Sequence, residues 1–131
     1  MTVGRPRKDD RIKILLKRAY LQTVQRHNKR WEGESPLSFE DFRALVVLEC
    51  TWCGHLGSNK WHDTHKGVTY SDTILRINGL DRIDCTKGYV LDNCRVACKF
   101  CNCARNTMSV PYFTAWVKQV HDYLHLGGNI N

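Results

Sequence analysis

The chain has 131 residues, enough for one modest domain whose core is small enough that a structural metal ion would add usefully to its stability. A formal net charge of +7 and a pI of about 9.2 favour a polyanionic partner such as nucleic acid. Seven cysteines, an odd number with no signal-like apolar run ahead of them, argue against a disulfide scaffold and for thiolate ligands in a reducing compartment. The longest aliphatic run, Leu45-Val46-Val47-Leu48, is far too short to span a bilayer, which excludes a membrane protein of the helical kind.

The excess charge is concentrated at one end. Residues 1–30 carry ten Lys/Arg and two Asp/Glu, a net of +8, whereas residues 31–131 carry ten and eleven, a net of −1. Concentration of this kind points to nucleic-acid contact rather than a merely solvated basic helix. Gly4 to Lys8, GRPRK, should be extended, and over these few residues resembles the Gly-Arg-Pro core of an AT-hook, which lays arginines in a minor groove. Residues 9–30 read as a helix with Ile12, Leu15, Leu16, Ala19, Tyr20 and Val24 on one apolar face. Arg11, Arg18, Gln25 and Lys29 fall on the opposite face, so Arg5, Arg7, Lys8, Arg11, Arg18 and Lys29 are the candidate DNA-binding residues.

The linker Trp31 to Pro36 separates this basic tail and helix, residues 1–36, from a second segment, residues 37–131. Ser38 is a plausible N-cap, with Asp41 three residues later in the manner of a capping box. The helix it opens, from about Phe39 to Leu48, should bury Phe42, Leu45, Val46 and Leu48 and deliver the chain to Cys50. Residues 55–77 have no clear period and read as a long loop or irregular strands. Leu80 to Asp84 alternates apolar and polar as a strand does, Thr86-Lys87-Gly88 reads as a turn, and Tyr89-Val90 as the returning strand. A helix is expected from around Asn93 through Asn106. Ser109 and Pro111 start a last helix with Phe113, Trp116, Val117, Val120 and Leu124 on its apolar face, ended by Gly127-Gly128.

Cys50-x-x-Cys53 and Cys98-x-x-Cys101 form two CxxC pairs with 44 residues between them. Each pair lets two thiolates share one ion across a tight turn, and two such knuckles complete a tetrahedral sulfur site suited to a structural Zn²⁺. Cys85 and Cys94 read as packed thiols, and the paired spacing favours Cys101 over Cys103 as the fourth ligand.

Between the knuckles the chain reads Asp81-Arg82-Ile83-Asp84, then Lys87-Gly88-Tyr89, then Asn93, then Cys98-x-x-Cys101-Asn102, and it continues to Met108-Ser109. This series resembles the HNH endonucleases, and their short phage and mobile-element members most. The resemblance runs from Cys50 to about Met108 and is dense from Leu80 onward. It implies an α+β fold: a small zinc-stapled ββα-metal unit, a β-hairpin, loop and helix around one divalent ion, flanked here by N- and C-terminal helices. The expected activity is metal-dependent hydrolysis of DNA phosphodiester bonds, nicking or cutting, in the cytoplasm of a bacterial or phage-infected cell. The resemblance places a catalytic Mg²⁺ or Mn²⁺ on Asp81 and Asn102, and makes Asn93 the residue that pins the loop.

The chain departs from the usual family pattern at Arg82, where a histidine normally deprotonates the attacking water. Arginine has no accessible free base near neutral pH, so Arg82 is expected to serve the phosphate or the transition state. The base could then be Asp84, one of His55, His62 and His65, or metal-bound hydroxide. The alternative reading is a catalytically degenerate zinc module that only binds DNA. The Asp81/Asn102 pair discriminates the two, because a mere zinc module needs neither residue.

Overall fold

A computed structural model describes residues 7–127. Gly4, Arg5, Pro6 and Gly128 lie outside the described residues. The chain begins with helix α1 (Lys8–Arg30), which carries Asp9 and Asp10 in its first turn and Lys29 and Arg30 in its last, the arrangement that suits a helix dipole. Its apolar stripe is buried as the spacing predicts. Leu15, Leu16 and Ala19 share one core with Leu37, Phe42, Val46, Leu75, Ile77 and Leu80, so the helix is built into the domain.

Helix α2 (Phe39–Val46) is capped by Ser38, whose hydroxyl accepts from the Asp41 N–H. It stops before Leu48, which is exposed. Residues 59–77, which have no clear period in the sequence, form a long antiparallel hairpin of β1 (Asn59–His65) and β2 (Val68–Ile77). The period is hidden by a bulge between His62 and Asp63, which shifts the inward set by several positions on β2. Lys66, at φ 50°, and Gly67, at φ 78°, make the tight turn at its tip.

A second, shorter sheet pairs β3 (Gly79–Arg82) with β4 (Cys94–Ala97), with Asp81 opposite Arg95. The returning strand is thus Cys94–Ala97 rather than Tyr89-Val90, and only a short 3₁₀ turn, Leu91–Asn93, precedes it. The helix expected from Asn93 is confined to α3 (Lys99–Arg105), since residues 94–97 gain more by pairing with β3 and burying Val96 and Ala97. Helix α4 (Val110–His125) is capped by Ser109, with Pro111 in its first turn. Of its expected apolar face only Phe113 is buried; Trp116, Val117, Val120 and Leu124 remain 40–45% exposed.

One residue fastens these parts together. Asn78, fully buried between β2 and β3, accepts from the Ser58 N–H and donates to the carbonyls of Leu48 and His55. Its backbone N–H reaches the Val46 carbonyl, so the end of α2, the first knuckle and both sheets share a single residue.

Candidate metal centre and active site

The first knuckle follows α2 and is braced on β4 by a Thr51 N–H to Val96 carbonyl bond of 3.0 Å. The second begins where β4 ends, with Cys98 as the N-cap of α3. Adjacent backbone therefore brings together cysteines that are far apart in sequence. The Sγ atoms of Cys50, Cys53, Cys98 and Cys101 all lie within 4.8 Å of one another, and those of Cys53 and Cys98 are 3.6 Å apart. A tetrahedral zinc with Zn–S near 2.3 Å needs sulfur pairs about 3.8 Å apart, so the cluster fits that ion. Each knuckle also points an N–H at its own leading sulfur: Trp52 N to Cys50 Sγ and Cys101 N to Cys98 Sγ, both 3.4 Å. Burial pushes the Cys50 thiol up, but the N–H groups of Cys98, Cys53 and Trp52 together bring it down to about 7, whereas burial and the neighbouring sulfurs push the Cys101 thiol up.

Cys94 is of the other kind. Burial pushes its thiol up to about 12, so it packs as a neutral group. Cys85 and Cys103 also lie outside the cluster.

Asp81 is 3% exposed, and both its oxygens are engaged. Oδ1 accepts from Arg105 Nη1 at 2.5 Å, and Oδ2 from Trp52 Nε1 at 3.2 Å. Arg105, itself 1% exposed, further donates to the carbonyls of Arg82 and Ile83. Asn102 lies one turn before Arg105 on α3, with Lys99 and Cys103 beside it in a cleft of about 600 Å³ between α1, the base of β1 and α3. Among the described residues no hydrogen bond joins Asp81 to Asn102; they share the β3–α3 unit but face different neighbours.

Asn93 holds the intervening loop. Its Oδ1 accepts from the Asp84 N–H at 2.9 Å, and its Nδ2 donates to the carbonyls of Asp84 and Gly88. Arg82 curls over that loop, donating to the Cys85 carbonyl at 2.8 Å and lying over the rings of Trp31 and Tyr89. Asp84 Oδ1 accepts from the hydroxyl and N–H of Thr86, which hold its carboxyl below the usual range and make it a weaker base. His62 and His65 sit on the exposed hairpin, and the His55 carbonyl serves Cys50 and Asn78.

The set expected from the sequence to bind DNA needs one correction. Arg7, Lys8, Arg18 and Lys29 are exposed, but Arg11 is 6% exposed and its guanidinium donates to Asp63 and Thr73 of the hairpin. A buried guanidinium with a buried carboxylate is a packing element, not a free contact. Three residues that the sequence reading did not single out complete the site. Arg105 and Trp52 clamp Asp81. His27, wholly buried, accepts the Tyr89 N–H at Nδ1 and contacts the Glu34 carbonyl through Nε2, tying α1 to the loop. No sequence pattern marks these partners, because each contact spans between 7 and 62 positions.

No protein-family model matches the chain. An uncharacterized protein of Acanthamoeba polyphaga mimivirus is 33% identical over 90 residues, which are 69% of this chain and 14% of that protein. The chain therefore spans only a small part of the length of that relative. In three dimensions it is similar to the rare-cutting HNH restriction endonuclease PacI, with a TM-score of 0.55 and 23% identity over 88% of this chain and 82% of that one. Among the described residues no helix is long and apolar enough to cross a membrane. The chain thus has an HNH-endonuclease-like fold, a small mixture of helices and strands with a four-cysteine cluster able to hold a metal ion.

Proposed function

We propose that the chain is an HNH-type endonuclease that hydrolyses DNA phosphodiester bonds. The observation that carries this reading is the β3–loop–β4–α3 unit. It sets a carboxylate on a strand, an asparagine clasp at the loop and an amide at the first turns of a helix whose start is fixed by the cysteine cluster.

Asp81 and Asn102 would hold the catalytic Mg²⁺ or Mn²⁺, and Cys50, Cys53, Cys98 and Cys101 a structural Zn²⁺. The donors suit both: thiolates for zinc, hard oxygens for the divalent ion. A carboxylate offers about four acceptor sites, and Arg105 and Trp52 use two, so Asp81 keeps capacity for a cation. When bound, such an ion neutralises charge on the scissile phosphate and the leaving oxygen. The chain's own residues do the rest. Trp52 and Arg105 fix the Asp81 carboxylate against rotation. Asn93 keeps the loop closed, so that Arg82 and Asp84 stay at its mouth. Arg82 supplies a charge-assisted contact to phosphate, not a base, and the exposed basic residues of α1 hold the polyanion.

Nicking of supercoiled plasmid with Mg²⁺ or Mn²⁺ tests the reading. Asn102→Ala should lower the rate by at least ~100-fold with zinc content and circular dichroism unchanged; Asp81→Ala should lower it as much, with the loss of stability from the stranded Arg105 measured separately by urea unfolding. Full activity in Asn102→Ala at every Mn²⁺ concentration refutes the assignment. DNA binding without cleavage in the wild type would instead identify a degenerate DNA-binding module.

A further inference from the structure

The hairpin β1–β2 contributes one face to the core and leaves the other to solvent. Trp61, Asp63, Thr73, Leu75 and Ile77 turn toward α1, whereas Lys60, His62, Thr64, Thr69 and Arg76 are on the open side. On that open side Lys60 and Arg76 are direct cross-strand partners. Like charges placed opposite one another on a sheet repel, and here among the described residues neither has a carboxylate within ion-pair distance.

The hairpin has two carboxylates that could compensate, Asp63 and Asp72, and Arg11 engages both from α1. Asp63 is buried against that guanidinium, whereas Asp72, 3.7 Å from it, keeps a side chain 61% exposed. The open side presents Lys60, Arg76 and His62, with His65 and Lys66 toward the tip. A further hydroxyl pair, Thr64 with Thr69 at 3.0 Å, sits near the tip.

We propose that this open face is a nucleic-acid-binding surface, entered by a duplex along the ribbon. Lys60 and Arg76 would contact successive backbone phosphates at its base, and Lys66 the opposite backbone at its tip. This rests on the reading that DNA is the partner. Two features favour a duplex over a small anion. A two-stranded ribbon fits a major groove about 12 Å wide. Lys60 and Lys66 are six positions apart, about 20 Å along a strand, enough to reach from one wall of that groove to the other. The surface is also continuous with the candidate active site, since Lys60 lines the same cleft as Asn102. A strand held on the ribbon is thereby led to that cleft.

The test is duplex binding by fluorescence anisotropy, with the zinc-loaded full chain, no added Mg²⁺ or Mn²⁺, and a titration in KCl. Each lost phosphate contact should shrink the slope of log K against log salt by about 0.9, so Lys60→Gln, Arg76→Gln and Lys66→Gln should each lose about that much and the Lys60→Gln/Arg76→Gln pair about 1.8. Lys118→Gln on α4, which removes a charge away from the ribbon, should leave the slope unchanged. Because repulsion across the ribbon is relieved, Lys60→Gln should melt at or above the wild-type temperature while binding more weakly. A wild-type slope in all three ribbon variants overturns the proposal, as does a slope loss accompanied by a lower melting temperature in Lys60→Gln. The measurement needs no cleavage. A chain that binds through the ribbon but never nicks would refute the nuclease reading alone, and one that nicks with unchanged ribbon slopes would refute this inference alone.

Discussion

Asp81 and Arg105 form an ion pair that is almost wholly out of water, with Oδ1 and Nη1 2.5 Å apart and side-chain exposures of 3% and 1%. The pair joins β3 to α3, the strand and helix that carry the two proposed ligands of the catalytic ion. Desolvating both charges is expensive, so the arrangement is stable only while each has the other.

This relationship is measurable as a coupling. Arg105→Met should cost about 3–5 kcal/mol in urea unfolding, because it strands a buried carboxylate. Asp81→Asn keeps one accepting oxygen but turns an amide NH₂ toward Arg105 or Trp52 and leaves the buried guanidinium without its countercharge, so it should cost a similar amount. Combining the two should cost less than the sum, giving a coupling energy of about 1–3 kcal/mol in a double-mutant cycle. Additive losses would mean that the pair is not coupled.

Zinc content should be one equivalent per chain by elemental analysis. Cys98→Ser should lose both the metal and the cooperative unfolding transition, since Cys98 directly follows β4, caps α3 and faces the cluster at once. Cys103→Ser and Cys85→Ser, outside the cluster, should keep the full equivalent.

Alkaline pH should reveal Cys94. Burial raises its folded pKa from 9.0 to about 12, so the folded state keeps its proton longer than the unfolded chain does. The stability it contributes is therefore complete below 9.0 and is lost progressively as pH rises toward about 12. Cys94→Ala should flatten the alkaline fall in the urea midpoint while leaving the neutral-pH zinc content unchanged.

Basic residues of α1 separate into two kinds. Arg18→Gln and Lys29→Gln are exposed and should each reduce the salt slope of DNA binding by about 0.9 without altering the melting temperature. Arg11→Gln should instead destabilise the fold by about 3 kcal/mol, because it breaks a buried ion pair with Asp63. Deleting the whole segment is a poor test of binding, since Leu15, Leu16, Ala19 and His27 would leave the core with it.

Much of this was legible in the sequence where the signal is local. The stripe of α1, the Ser38 and Ser109 caps and the two CxxC pairs each depend on residues within a few positions, and the structure forms them as read. The hairpin was hidden because a bulge interrupts its alternation, and β4 because four residues between a 3₁₀ turn and a helix carry too short a pattern to distinguish from the helix. Arg11 shows a different limit. Its place opposite the apolar stripe suggested solvent, but Asp63, 52 positions away, folds over it. Arg105 and Trp52 escaped for the same reason: what makes them matter is a carboxylate that only the tertiary fold brings near.

The cysteine cluster also bears on the order of events during folding. Cys53 and Cys98 are linked across 44 intervening residues, and that stretch contains both strands of the hairpin, β3 and the Asn93 loop. Joining the ends of such a loop costs chain entropy before any of its internal contacts can repay it. A zinc ion captured first by either knuckle and then by both would meet that cost with ligand bonds, leaving the sheets to assemble inside a ring already closed. Refolding of the apo chain should then be slow and limited by long-range pairing, and addition of Zn²⁺ should speed the folding rate itself, rather than only slowing unfolding. The metal would act on the transition state as well as on the native state, setting when the strand and the helix of the site first meet.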